Sequence, residues 1–192
     1  AVLLESLREH PADAIREPLE SLIADVSKSA DARRMAFRAW QSDLGDARES
    51  RLLALAKTVE DGDVLAMLLT ELGTLNSPAS SNDTISALLL SKTKSESATV
   101  RAAAITALAR RRVADGAESV TRLLADQDPR VQSAAAFAAG QLEVRSAIPT
   151  LLKLGTTGDA TMLRECFDAL RQLRERSEEH TSELQSRFGI SY

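Results

Sequence analysis

Cysteine, histidine and aromatic residues are scarce in this chain of 192 residues, which has 1 Cys, 2 His and only 3% Phe, Trp and Tyr together. One thiol permits no intrachain disulfide, and one Cys with two His leaves no Cys/His zinc site. Glycines occur singly, without the GxGxxG or GxxxxGK spacing that cradles a phosphate, so no nucleotide or other cofactor is expected. Charge interrupts every apolar run before it reaches the length of a membrane span. The net charge of -4, from 28 acidic against 24 basic residues, argues against a broad electrostatic footprint for nucleic acid. What is abundant is apolar residue, 44% of the chain, interleaved with 27% charged. That balance belongs to a chain that folds around a core.

Internal repetition organises the rest. Val100-Arg101-Ala102-Ala103-Ala104-Ile105-Thr106-Ala107-Leu108 corresponds to Val131-Gln132-Ser133-Ala134-Ala135-Ala136-Phe137-Ala138-Ala139, and more loosely to Met162 through Leu170. A polar turn precedes each segment: Ser97-Ala98-Thr99, Asp128-Pro129-Arg130 and Asp159-Ala160-Thr161. The Ser or Asp of each turn is expected to cap the helix that follows, and Pro129 suits a first helical turn because its missing donor is not needed there. A second kind of segment falls between, where Ser119-Val120-Thr121-Arg122-Leu123-Leu124 corresponds to Ala147-Ile148-Pro149-Thr150-Leu151-Leu152. The unit is a pair of helices, and neither can hide its apolar stripe until successive pairs stack.

Anchors at Ala32, Val64, Val100, Val131 and Met162 recur at intervals of 32, 36, 31 and 31 residues. The long interval contains Asn76 to Asp83, a breaker-rich stretch that reads as an enlarged surface loop. First helices are expected at about Ile15 to Val26, Glu49 to Val59 and Thr84 to Ser91. Gly140 is expected to permit a helix-terminal turn. The chain opens Ala1-Val2-Leu3-Leu4 without Met, and Val2 to Arg8 resembles the second helix of a preceding unit, so the chain reads as a piece of a longer protein. The predicted architecture is all-α: a single right-handed α-α superhelix of about five helix pairs over 1–192, clearest over 97–173, with 174–192 as a terminal extension or cap.

The Asp128-Pro129-Arg130-Val131 turn, the Ala-rich helix through Gly140 and the succeeding Ala147-Ile148-Pro149-Thr150-Leu151-Leu152 resemble HEAT repeats of the short, phycobilisome-lyase-like type, related in architecture to armadillo arrays. The resemblance implies an elongated binding scaffold with one row of helices along its concave side. It also implies that an Asp in the intra-repeat turn and an Arg after the Val brace neighbouring repeats. Asp128 and Arg101 match those places individually, but Gln132 follows Val131, so a continuous Asp/Arg ladder is not expected.

No catalytic constellation stands out. His10 and His180 lie near opposite ends of an array that keeps distant sequence distant. Cys166 shares an apolar stripe with Met162, Phe167 and Leu170, which suits a buried thiol better than a nucleophile. Asp61, Asp63, Asp128 and Asp159 have turn or cap explanations, and Asp61-Gly62-Asp63 is too short for a calcium loop. The chain is therefore read as no enzyme but a noncatalytic protein-interaction scaffold, whose partner is another protein or a domain of its own parent chain. Candidate contacts are Arg101, Arg110, Arg111, Arg112 and Trp40, with core packing the competing reading of Trp40. Alternatives are a structural segment of a larger enzyme or receptor, a nucleic-acid-binding domain using the locally basic stretch 101–145, and, from the resemblance alone, a bilin lyase.

Overall fold

The computed structural model describes the backbone of residues 12–42, 44–75 and 79–188 and the side chains of 15–42, 44–75 and 83–176. The expected helix at Val2 to Arg8 lies outside the described residues. Ten α-helices are present among those described: α1 Ala12–Ala24, α2 Ala30–Gln41, α3 Arg48–Thr58, α4 Asp63–Thr74, α5 Ala79–Lys92, α6 Ala98–Arg110, α7 Ala117–Leu123, α8 Pro129–Gln141, α9 Ile148–Thr157 and α10 Ala160–Phe188. They form five successive pairs. α10 runs on as helix through Arg174 to Phe188.

Side-chain caps mark the starts of α2, α8 and α10. Ser29 Oγ accepts the Ala32 N–H, Asp128 Oδ1 accepts the Arg130 N–H ahead of α8, and Asp159 Oδ1 accepts from both Thr161 and Met162. Two expectations need correction. Ser97 makes no side-chain cap for α6, because its hydroxyl lies 2.9 Å from Thr99 Oγ1 and its own N–H goes to Ser95 Oγ. The breaker-rich stretch is not a loop as far as Asp83, since α5 begins at Ala79. Ser, Asn and Asp are tolerated in a first turn, where backbone donors are unpaired in any case.

Three of the joints between successive pairs share an element. A short 3-10 turn precedes α3, α7 and α9, at Gly45–Ala47, Ala114–Gly116 and Arg145–Ala147. Each joint contains a residue of positive φ: Gly45, Arg112 and Glu143, at 50°, 53° and 57°. At the last two, the following N–H reaches back five residues to a helix carbonyl, Val113 to Leu108 at 3.0 Å and Val144 to Ala139 at 2.9 Å. That bond closes the helix end, with Val144 buried and Val113 half-buried behind it.

Packing is uneven between the two rows. The second helices α2, α4, α6, α8 and α10 pack directly on one another, whereas the first helices pack mainly on second helices. Small residues make the close approach possible. A Cβ on Gly73 would lie 2.7 Å from both Cα and Cβ of Ala107, and one on Gly140 would lie 3.0 Å from Ala169 Cα and 2.5 Å from Gln172 Oε1. Gly73, Ala109 and Gly140 all stand nine residues after their anchors, and Ala107, Ala138 and Ala169 seven after theirs. Gly140 therefore works inside α8 as a contact residue, and the left-handed turn falls three residues later at Glu143. Together the even-numbered helices form a continuous close-packed row, the inner row. Leu65, Leu68, Leu69 and Leu72 of α4 and Ile105 and Leu108 of α6 are fully buried between the rows.

The same substitution is expected to act with opposite sign at two glycines. Gly73→Ala forces α4 and α6 apart and should lower stability by about 1 to 3 kcal/mol. Gly155→Ala, in α9 with only an ordinary 3.4 Å contact to Cys166 Cβ, should raise it by about 0.5 to 1 kcal/mol. Urea unfolding of both variants measures the pair.

Candidate functional site

Two surfaces of the array carry its polar chemistry. One is the edge formed by the turns within each pair. There Arg101 grips Asp126 with both sides of its guanidinium, Nε to Oδ2 and Nη2 to Oδ1, each at 2.8 Å. Its Nη1 also donates to the carbonyls of Ser95 and Glu96 at 2.8 and 2.9 Å. Arg101 thereby ties the turn between α5 and α6 to the turn between α7 and α8. One turn earlier, Asp61 accepts from Lys92 Nζ at 2.6 Å and from Ser95 Oγ at 2.5 Å. Further along, Gln132 Nε2 donates to the Asp126 carbonyl at 2.7 Å. Near the start of the array Arg33 Nε plays the same part toward the Ile23 carbonyl at 2.8 Å.

The charges respond to these contacts. The hydrogen bonds from Arg101, opposed by burial, hold the Asp126 carboxyl below its ordinary value. Burial alone would raise Asp61, but the bonds from Lys92 and Ser95 outweigh it and leave that carboxyl lowered. Asp128 is lowered to about 2 by the Arg130 side chain and backbone N–H. Asp128 is thus a helix cap paired with its near neighbour, and the brace expected of it belongs to Asp126, two residues earlier. Gln132, in the place of an Arg, keeps the carbonyl contact without the charge pair.

The residues proposed from sequence as partner contacts do not come together as a site. Trp40 is 2% exposed, tilted against Phe37 with ring centroids 6.1 Å apart, and its indole N–H donates to Glu20 Oε1 at 2.9 Å. It is a core residue and offers no anchor to a partner. Arg101 is engaged as above, with a side chain 17% exposed. Arg111 donates to the carbonyls of Leu72 and Leu75, at 2.9 and 3.0 Å, and so closes the end of α4. Arg110 and Arg112 are the two that face solvent. Cys166 is buried, and burial pushes its thiol upward, away from the thiolate. The His10 and His180 side chains lie outside the described residues. Among the described residues no group of three His, Cys, Asp or Glu gathers as a metal site, and no helix is long and apolar enough to cross a membrane.

The second surface is the inner face. A groove of about 400 Å³ runs across α2, α4, α6 and the start of α8. Its floor is made of small and apolar side chains, chiefly Ala66, Met67, Ala102 and Ala103, with Phe37 beneath. These positions stand two and three residues after the anchors, on the helix side opposite the core stripe. Arg38, Glu71 and Arg130 supply its charged rim. Glu71 is bound from outside the lining by Arg48 at 2.5 Å, and Arg130 pairs with Asp128 at 2.7 Å while remaining 68% exposed. Sequence reasoning missed this groove, although its signal was present in the repeated Ala pair at 102–103 and its equivalents Ala66 and Met67.

Comparison with known families agrees with the geometry. A family model described as HEAT repeats matches residues 85–171. The match supports the HEAT-repeat family. It spans α5 to the middle of α10, and the five stacked pairs make the chain a HEAT-like α solenoid. The match does not reach the finer resemblance to phycobilisome-lyase-like repeats. No curated protein matches the chain.

Because Arg101 joins two turns through a largely buried ion pair and two carbonyls, Arg101→Ala should cost about 2 to 4 kcal/mol in denaturant unfolding. Arg101→Lys should recover only part of this, since an ammonium cannot span both carboxylate oxygens. Asp126 has its carboxyl lowered on folding, so its contribution is complete above the ordinary aspartate value of about 4 and is lost as pH falls below it. The stability gap between wild type and Asp126→Asn should therefore be widest at neutral pH and shrink through the acid range.

Proposed function

We propose that the chain is a noncatalytic protein-interaction scaffold and that its inner face is the working surface. HEAT-repeat arrays are commonly of this kind, and the stacked pairs supply extended area. The observation that carries the reading is the groove across α2 to α8. It is concave and apolar on its floor, with charge confined to the rim, which is the anatomy of a recognition surface. The odd-numbered helices pack against one side of the inner row and leave its other side free to vary at exposed positions.

The nucleic-acid reading loses support from the two arginines engaged inside the fold. Phosphate binding needs guanidinium groups directed outward, and Arg101 and Arg111 are committed to Asp126 and to helix-end carbonyls.

Ala103→Arg places a long side chain on the groove floor without disfavouring the helix. Affinity capture from native extract with wild type and with this variant, followed by mass spectrometry, tests the reading. Proteins recovered by wild type and lost from an equally stable Ala103→Arg variant are expected. Recovery of the same proteins by both, or retention of nucleic acid that falls steeply with salt, would overturn it.

A further inference from the structure

Large apolar side chains reach solvent together at one end of the array. Leu152 of α9 and Leu163 and Phe167 of α10 are 53%, 40% and 62% exposed. They belong to one patch. A Cβ on Gly155 would lie 3.4 Å from Cys166 Cβ and 3.9 Å from Leu163 Cδ1, so α9 and α10 lie against each other there. Leu152 stands one turn before Gly155 and Phe167 one turn after Leu163, and because the two helices run antiparallel both steps go the same way. Phe167 and Leu170 stand five and eight residues after the anchor Met162. In the four earlier pairs these places are held by Phe37, Leu69, Ile105 and Ala136, and by Trp40, Leu72, Leu108 and Ala139, none more than 2% exposed. There the next pair covers them. On α10 they are open, with Phe167 outermost and Leu170 half-buried.

The face is not shaped for another unit of the same kind. Nine residues after the anchor, where Gly73 and Gly140 let the next helix approach, α10 carries Arg171. An occupant must stand off at the ordinary helix spacing of about 8 to 10 Å, with side chains between. Charge decides which occupant fits. Arg164, Asp168, Arg171 and Glu175 are all exposed and run along one side of α10 at steps of three and four residues, alternating in sign. Arg171 meets Glu175 at 3.1 Å and Asp168 at 3.7 Å on its own helix, and pairs this exposed exchange partners at little cost. Turning a second α10 end for end about a two-fold axis sets Arg164 against Glu175, Asp168 against Arg171 and Phe167 against Leu170. Each cation then meets an anion, and the apolar pair meets itself. We propose that this face is the interface of a two-fold symmetric dimer, in which α10 of one copy packs antiparallel on α10 of a second. Such an interface is closed, so it yields a dimer and no longer assembly. No residue of α9 or α10 lines the groove of the inner face, which stays open in the dimer.

Sedimentation velocity of the full chain, from low micromolar to a few hundred micromolar, should show a monomer giving way to a dimer, with the micromolar affinity expected of a small interface. Phe167→Asp should weaken association at least roughly tenfold, a difference of about 1.4 kcal/mol. Phe167 is 62% exposed, so this variant should keep the helix content and melting temperature of the wild-type monomer, which circular dichroism checks. Val26→Asp changes a residue 55% exposed at the far end of the array and should leave the dimer intact. Asp168→Arg sets an Arg against Arg171 of the second copy and should favour the monomer. Adding Arg171→Asp restores opposite signs across the axis and should restore the dimer, a rescue that nonspecific association would not produce. A wild-type chain that stays monomeric over the whole range overturns the proposal. A dimer that survives Phe167→Asp, or is lost equally in Val26→Asp, overturns it as well. Failure of Arg171→Asp to rescue Asp168→Arg contradicts the antiparallel pairing.

Discussion

The close approach of the even-numbered helices is the constraint on which the rest of the structure depends. Gly73 against Ala107 and Gly140 against Ala169 leave no room for a further methyl group between neighbouring backbones. Side chains any larger would separate the inner row, flatten the stack and break the continuity of the core. The alanines are therefore structural twice over. Ala107, Ala138 and Ala169 are buried where helices touch, while Ala66, Ala102 and Ala103, on the other side of the same helices, make the shallow floor of the groove.

Close packing fixes spacing but not rotation of one pair about the next, and the polar edge supplies that. Arg101 makes four hydrogen bonds that reach Ser95, Glu96 and Asp126, and Asp61 reaches forward to Lys92 and Ser95. Successive turns are held to one another by groups with strict direction, where apolar contacts alone would allow sliding. Inside the array, the Thr93 hydroxyl lies 3.2 Å from Ser119 Oγ and accepts from Arg122 at 2.9 Å, so a buried polar pair between neighbouring repeats is satisfied as well. The inner face is the beneficiary, because rim groups on α2 and α8 keep their relation only if the intervening pairs do.

Legibility in the sequence followed range. Helix pairs, their anchors and the caps at Asp128 and Asp159 were readable, because periodicity and capping are local. Contacts that depend on how a turn rotates were not. Arg101 was recognised as a brace, yet its partner is Asp126 and not Asp128, and two residues in a turn are enough to exchange a brace for a cap. Gly140 was assigned to a turn because glycine permits positive φ, whereas its use is the nearness of Ala169; the positive φ went to Glu143, a residue no propensity would nominate. Trp40 was open between core and surface until Glu20 Oε1 was seen to satisfy its indole. The groove escaped because it is defined by residues that are small, and only the stacking of four helices reveals what they leave empty.

Native-state hydrogen exchange is the most direct test of this account, whose central claim is that the inner row holds the array together. Exchange resolved by residue should find the slowest amides in α4, α6 and α8, with those of α3, α5 and α7 opening at lower free energy. Equal protection in the two rows, or greater protection in the odd-numbered helices, would contradict it.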